Sequence, residues 1–305
     1  MSILEEIIAA TKPSVAPKQG EPIPFKELFW SWMGVARKRV RKQVQRELGH
    51  LLPEAIHQME ESLVLRWARC ATPSLALELS ISRMQDDLHG ETAEDRYVSF
   101  LQARIWDHER LRAFFEEYEE LGRMLACLLE LWVTQTVEFL QRLAQDLPLL
   151  AKTFNEEKTL GKVSFLSQNA GDFHEGGRSV YHLKFESGNE IFYKPKNLAF
   201  GVQFQEFMQE INTLGLPLDL KGYKTVARGA YGWEEMVRHL PCETPDQVKR
   251  YFQRTGMLLA LLYLFDGTDI HHENLIASGE YPILIDLETF FHSSLAHPDK
   301  ELTTD

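Results

Sequence analysis

Asp269-Ile270-His271-His272-Glu273-Asn274, followed by Ile283-Leu284-Ile285-Asp286-Leu287-Glu288, is the stretch on which the reading of this chain depends. The first segment has the form D-x-x-x-x-N, the spacing of a kinase catalytic loop. In such a loop the Asp takes the proton of the attacking hydroxyl and the Asn holds a magnesium ion. The second segment is a short apolar strand that ends in acids, the way kinase folds present a further magnesium-binding Asp to the phosphates. Taken singly, each residue has a plainer explanation. Asp269 can cap a turn after the apolar helix before it, His271 and His272 can be loop polars, and Asp286 can end a strand. The upstream partners favour the chemical reading.

Going upstream from the catalytic stretch, Thr244-Pro245-Asp246 opens a helix with Thr244 as its N-cap, running through Tyr251, Thr255, Leu258 and Leu262 to Phe265. Lys224–Arg228 and Tyr231–Val237 read as strands, the second leading into a hinge where an adenine would meet backbone groups. Phe200–Thr213 reads as a helix with Phe204, Phe207, Met208 and Ile211 on one side. Earlier still, Val180–Phe185 alternates, Ser187-Gly188-Asn189-Glu190 turns the chain, and Ile191-Phe192-Tyr193-Lys194 forms the next strand. With the strand at Leu160–Leu166 and the glycine-containing loop Gly171–Val180, the order is strand, loop, strand, turn, strand with a lysine. That is the layout of a kinase small lobe.

In that layout Lys194 suits nucleotide phosphates as a point charge, and Lys196 competes for the role. Glu210 or Glu206 can reach back to pair the lysine. Gly176 and Gly177 let backbone N–H groups approach phosphates, and Arg178 adds charge. A plain Gly-Gly hairpin is the structural alternative. Asp172 and His174 in the same loop are candidates for acid–base work near the transferred group, or a turn-forming Asp and an exposed His.

The whole chain sets bounds. Its 305 residues allow two domains or one large one. With 44% hydrophobic and 26% charged residues it falls in the globular class. A net charge of -12 argues against a general nucleic-acid role, because phosphate backbones attract basic surfaces. Cys70, Cys127 and Cys242 are scattered without a CxxC, which points to a reducing compartment and gives no zinc framework. Acids at Glu5 and Glu6 are unlike a signal peptide, and the longest apolar run, Met257–Phe265, is too short to span a bilayer. The expected location is the cytoplasm.

Organisation follows composition. Residues 1–24 hold a short helix and a connector with Pro13, Pro17, Pro22 and Pro24. Residues 25–150 are helical, with apolar steps such as Leu121, Leu125 and Leu128, and with breaks expected near Gly49–Pro53, Thr72–Pro73, Gly90 and Gly122. Residues 151–305 form the kinase-like core. The fold class is α+β. The basic run from Arg37 to Arg46 reads as a solvated helix face. Glu116, Glu117, Glu119 and Glu120 read as an exposed face beside packed aromatics, and Trp30, Trp32, Trp67, Trp106 and Trp132 as packing between helices.

Gly171-Asp172-x-His174 through Arg178-x-Val180, then Tyr193-Lys194-Pro195-Lys196, then Asp269-x-His271-x-Glu273-Asn274, then Asp286-Leu287-Glu288-Thr289, together resemble the dehydratase domain of class II lanthipeptide synthetases. The similarity covers roughly residues 152–292. It implies a fold related to lipid kinases: a helical N-terminal region, a small lobe of antiparallel sheet plus helix, and the start of a large lobe. It implies ATP- and magnesium-dependent phosphorylation of Ser and Thr in a ribosomal precursor peptide, then phosphate elimination to dehydroamino acids. By motif position, Lys194 would bind ATP phosphates. Asp269, His271 and Asn274 would form the catalytic loop, Asp286 and Glu288 would hold magnesium, and Asp172 and His174 would face the phosphates.

Members of that family run on into further large-lobe helices and a zinc-dependent cyclase, whereas this chain stops at Asp305. The expectation is a truncated dehydratase region without a cyclase, whose activity alone stays open and which a second chain could complete. The alternatives are an inactive leader-peptide-binding remnant and a small-molecule or lipid kinase of related fold.

Overall fold

Apolar residues at three- and four-residue steps become long helices because one stripe of each must leave water. In chain order these are α1 (Ile3–Ala10), α2 (Lys26–Val44), α3 (Pro53–Met84), α4 (Ala93–Phe100), α5 (His108–Glu117) and α6 (Glu119–Phe154). The computed structural model describes residues 2–14, 23–155, 159–168, 178–265, 267 and 270–287. The protein is α+β and divides into two compact units, residues 1–189 and 190–305.

The first unit is built on aromatic packing between helices. Trp32 of α2 meets Trp67 of α3 edge-on at 5.5 Å, and Trp32, Trp67 and Trp132 are all fully buried. The Trp67 indole N–H donates to the Leu125 carbonyl at 3.1 Å, so the polar edge of a buried ring is satisfied. The basic run on α2 is a solvated face whose inner members tie helices together: Arg37 donates twice to the buried carboxylate of Glu60, and Arg39 meets Glu6 at 3.0 Å. Glu116, Glu117, Glu119 and Glu120 are exposed beside the buried Phe115.

Two expected helix breaks are not breaks. Pro73 lies inside α3 without ending it; the flanking turns bury Ala68, Ala71 and Leu75, and that packing outweighs the lost backbone hydrogen bond. Gly122 lies within the first turns of α6, and the chain breaks earlier, at Tyr118. A Cβ on Gly122 would stand 3.0 Å from Leu4 Cδ2 and 3.2 Å from Phe115 Cδ1, so this glycine permits close helix approach rather than a turn.

Two strands, β1 (Val163–Ser167) and β2 (Tyr181–Phe185), pair antiparallel, and β1 lies along α3. The Leu52 N–H donates to Val163 O at 2.9 Å, and the Leu166 N–H donates to the Gln58 side chain at 2.9 Å. Tyr181 stacks on Phe139 of α6 at 4.2 Å.

The second unit carries β3 (Glu190–Lys194), α7 (Ala199–Thr213), β4 (Thr225–Ala227), β5 (Gly232–Glu235), α8 (Pro245–Leu264), β6 (Leu275–Ser278) and β7 (Tyr281–Leu284). β5 pairs antiparallel with β3 on one side and β4 on the other, and β6 pairs with β7 as a separate hairpin. Thr244 caps α8 in a reciprocal capping box with Gln247. Phe204 and Met208 of α7, Leu258 of α8, Leu284 of β7, and Leu220 and Leu287 form one buried cluster. Arg254 of α8, 3% exposed, secures the hairpin: it meets Asp219 Oδ1 at 2.9 Å and Glu280 Oε2 at 3.0 Å, and lies 4.1 Å over the Tyr281 ring. Among the described residues, no helix is long and apolar enough to cross a membrane.

Candidate functional site

The site begins with strand alternation. Along β3, Ile191 and Tyr193 point into the core, which puts Phe192 and Lys194 on the other face. Tyr193 packs on Trp233 at 5.0 Å. In the β3–β5 ladder Phe192 stands opposite Glu234 and Lys194 opposite Gly232. Lys194 and Glu234 are therefore diagonal neighbours on one face, within reach of long side chains. The Lys194 ammonium lies 2.8 Å from Glu234 Oε2, with the two side chains 13% and 7% exposed. Gly232 is required here, because a Cβ would come within 2.6 Å of both Leu198 Cδ1 and the Val226 carbonyl oxygen.

The opposing carboxylate comes from the chain just after β7. The Ile285 N–H donates to Asn274 O at 2.9 Å, holding the two ends of the hairpin together. Asp286 then takes φ +59, a left-handed conformation that Asp tolerates better than most residues. Its Oδ1 lies 2.7 Å from the Lys196 ammonium and 3.9 Å from that of Lys194.

Tyr223 supports this group from within. Its hydroxyl donates to Glu234 Oε1 at 3.3 Å, and the Asp286 backbone N–H lies against the phenolic oxygen. Burial first, then the neighbouring Glu234 carboxylate, hold the phenol well above its usual range, so it stays a neutral donor. Lys196, Leu198, Phe200, Tyr223, Glu234 and Asp286 line a recess of about 40 Å³.

The other expected site residues fall as follows. Asn274 N–H donates to His271 O at 3.0 Å, and the Glu273 N–H donates to His271 Nδ1 at 3.2 Å; the His271 and Asn274 side-chain nitrogens are 3.4 Å apart. Arg178, in the first unit, lies 3.4 Å from Glu138. Asp172, His174, Gly176, Gly177, Asp269 and Glu288 lie outside the described residues. Glu210 is exposed on α7, and the expected pair with Lys194 is not made there. The β3–β5 register delivers Glu234 to the lysine instead. Neither Glu234 nor Tyr223 stood out in the sequence; the one available signal was the adjacent pair of acids, Glu234 and Glu235, inside the otherwise uncharged Tyr231–Val237 stretch.

Two ammonium groups and two carboxylates thus meet at a strand end, with charges that balance. Among the described residues no group of three or more His, Cys, Asp or Glu gathers, so no all-protein metal cage is present there. The donors that do gather suit an ion shared with phosphates. Magnesium is commonly held by one or two carboxylates plus substrate oxygens, and Asp286 offers one such carboxylate beside the two lysines.

Residues 118–305 match the family described as "Domain of unknown function (DUF4135)". Over 229 residues the chain is 27% identical to the lacticin 481/lactococcin biosynthesis protein LcnDR2 of Lactococcus lactis subsp. lactis. That similarity covers 72% of this chain and 24% of the relative, so the chain spans about a quarter of the relative's length. The similarity to LcnDR2 thus adds to the match over residues 118–305, and that match establishes that the chain belongs to the DUF4135 family.

Proposed function

We propose that the chain carries the nucleotide-phosphate site of a kinase-like enzyme that modifies a ribosomally made precursor peptide in lanthipeptide biosynthesis. The observation that carries this reading is the meeting of Lys194 and Lys196 with Asp286, which lies 90 residues beyond Lys196 in the chain. A lysine on a strand end facing an acid after an apolar strand is the arrangement that phosphoryl transfer uses. Similarity to a lacticin 481/lactococcin biosynthesis protein supports a peptide as the acceptor.

In this reading the second unit is part of a lipid-kinase-like core. Lys194, anchored by Glu234, binds the phosphates of ATP. Asp286 and Asn274 would hold magnesium, which when bound offsets phosphate charge. Asp269, by its D-x-x-x-x-N spacing, takes the proton of a Ser or Thr hydroxyl. The hydroxyl oxygen then forms its bond to the γ-phosphorus as the bond from that phosphorus to the bridging oxygen breaks, and ADP leaves. Elimination would follow as the Cα proton is removed and the Cβ–O bond breaks, releasing phosphate and leaving a dehydroamino acid. Asp172 and His174 are the candidates for that proton work.

The test combines binding and product analysis. ATP binding is measured with magnesium for the parent, Lys194→Met and Asp286→Asn, and Ser/Thr-containing precursor peptides are then incubated with the parent and ATP. Binding that both variants weaken, with a phosphate gain or a water loss in the peptide mass spectrum, supports the proposal. Absence of ATP binding in the parent, together with unmodified peptide, defeats it.

A further inference from the structure

We infer that the groove between α2 and α6 docks an acidic amphipathic helix of the peptide substrate. The inference rests on the peptide acceptor proposed above only for the origin of that helix; the groove is formed wholly within the first unit. Arg39 and Gln43 of α2 and Cys127, Leu131, Thr134 and Glu138 of α6 line an open groove of about 670 Å³. The α6 wall carries an apolar rail. Cys127 and Leu131 are exposed on it, Leu131 by 39%, and Met124, 47% exposed, continues the rail one turn further.

The α2 side carries the charge. Lys38, Arg41 and Lys42 are exposed, as is Arg46, just past α2 where the backbone stays helical. Lys42 and Arg46 follow the groove-lining Arg39 and Gln43 at three-residue steps, so they neighbour them on the helix surface. Arg37 and Arg39 are paired with Glu60 and Glu6. Lys38, Arg41, Lys42 and Arg46 have no ion-pair partner among the described residues. Of the acids that line the groove, Glu138 is met by Arg142 and Arg178, and Glu130 is exposed.

The rim is therefore basic in a chain whose net charge is -12, and that contrast selects the occupant. A membrane surface or a nucleic acid extends past the rim and meets the repulsion of the whole chain. A short peptide senses mainly the charges within about 8 Å, the screening length in physiological salt. A concave site with one apolar wall and one basic wall matches a helix with an apolar face and acids beside it. Lys38 to Arg46 covers about 12 Å of helix, so two to three turns of peptide with acids at three- and four-residue steps meet these cations.

Fluorescence anisotropy of labelled synthetic helices tests this without ATP or turnover. The probes are an amphipathic peptide with Leu on one face and Glu along its flank, the same peptide with Gln for each Glu, and a third with Lys for each Glu. The full chain is compared with a variant carrying Lys38→Glu, Arg41→Glu, Lys42→Glu and Arg46→Glu together, and with Leu131→Gln; thermal unfolding checks that each is folded. The parent is expected to bind the Glu peptide about ten- to hundredfold more tightly than the Gln peptide, the scale of several exposed ion pairs, with the preference fading at high salt. The charge-reversed variant should prefer the Lys peptide, and Leu131→Gln should weaken binding of the Glu peptide. ATP binding should be unchanged in both variants. No peptide binding by the parent, or equal binding of the Glu peptide by the parent and both variants, overturns the groove and leaves the nucleotide site standing. Phosphatidylserine vesicles bound by the parent and lost in the charge-reversed variant, without peptide binding, also overturn it and make the face a membrane contact. Peptide selection intact in a parent that binds no ATP leaves the groove standing and counts against the nucleotide site.

Discussion

The Tyr223 hydroxyl donates to Glu234 Oε1 at 3.3 Å while Glu234 Oε2 holds the Lys194 ammonium at 2.8 Å, so a neutral buried phenol orients the carboxylate that orients the lysine. Tyr223→Phe removes one donor and leaves a nearly buried carboxylate oxygen short of a partner. A loss of about 1–2 kcal/mol in unfolding free energy is expected. Glu234→Gln strips the lysine of its closest charge partner and should cost more, about 2–4 kcal/mol. Urea titration measures both, and values within error of the parent would show that the group does not support the fold.

Gly232→Ala introduces a Cβ into space already held by Leu198 and by the Val226 carbonyl, each at 2.6 Å. The leucine can rotate, but the carbonyl belongs to the β4–β5 ladder and cannot. A destabilisation of about 1–3 kcal/mol is expected, together with weaker nucleotide binding, because Lys194 stands opposite this position. An alanine variant as stable as the parent would contradict the packing described here.

Acid should loosen the second unit through Arg254. Hydrogen bonding from Arg254 holds Asp219 below its ordinary 3.8, and hydrogen bonds from Arg250 and then Arg254 hold Glu280 below its ordinary 4.5. Depressed carboxylates add stability that is complete above those ordinary values and disappears as pH falls through the lower folded-state values. The difference in urea midpoint between the parent and Arg254→Met should be largest near neutrality and narrow below about pH 4. A difference that stays constant from pH 7 to pH 3 is the contrary result.

Pro73 is an exposed residue inside an unbroken helix. Pro73→Ala restores a backbone donor and removes the ring's clash with the preceding turn. A gain of about 1–3 kcal/mol in the stability of the first unit is expected. Thermal unfolding monitored by helix signal checks it, and a lower midpoint would mean that the proline makes a contact the helix needs.

Local structure was legible wherever it depends on near neighbours. Alternation marked β2 and β3, three- and four-residue steps marked α7 and α8, and Thr244 marked a helix start that the capping box confirms. Pro73 and Gly122 misled for the same reason: as isolated residues they break helices, and only packing against α1 and α5, or along α3, reverses that preference.

From the residues alone came the chemistry available at each position: a lysine pair around Pro195, a D-x-x-x-x-N segment, and acids after an apolar strand. Tertiary structure chose the partners. Glu234 rather than Glu210 meets Lys194 because β3 pairs with β5 in a register that sets Phe192 against Glu234. Asp286 reaches Lys196 past a left-handed backbone turn. Register and the sign of one dihedral angle depend on contacts between segments far apart in the chain, and a short stretch of sequence contains neither.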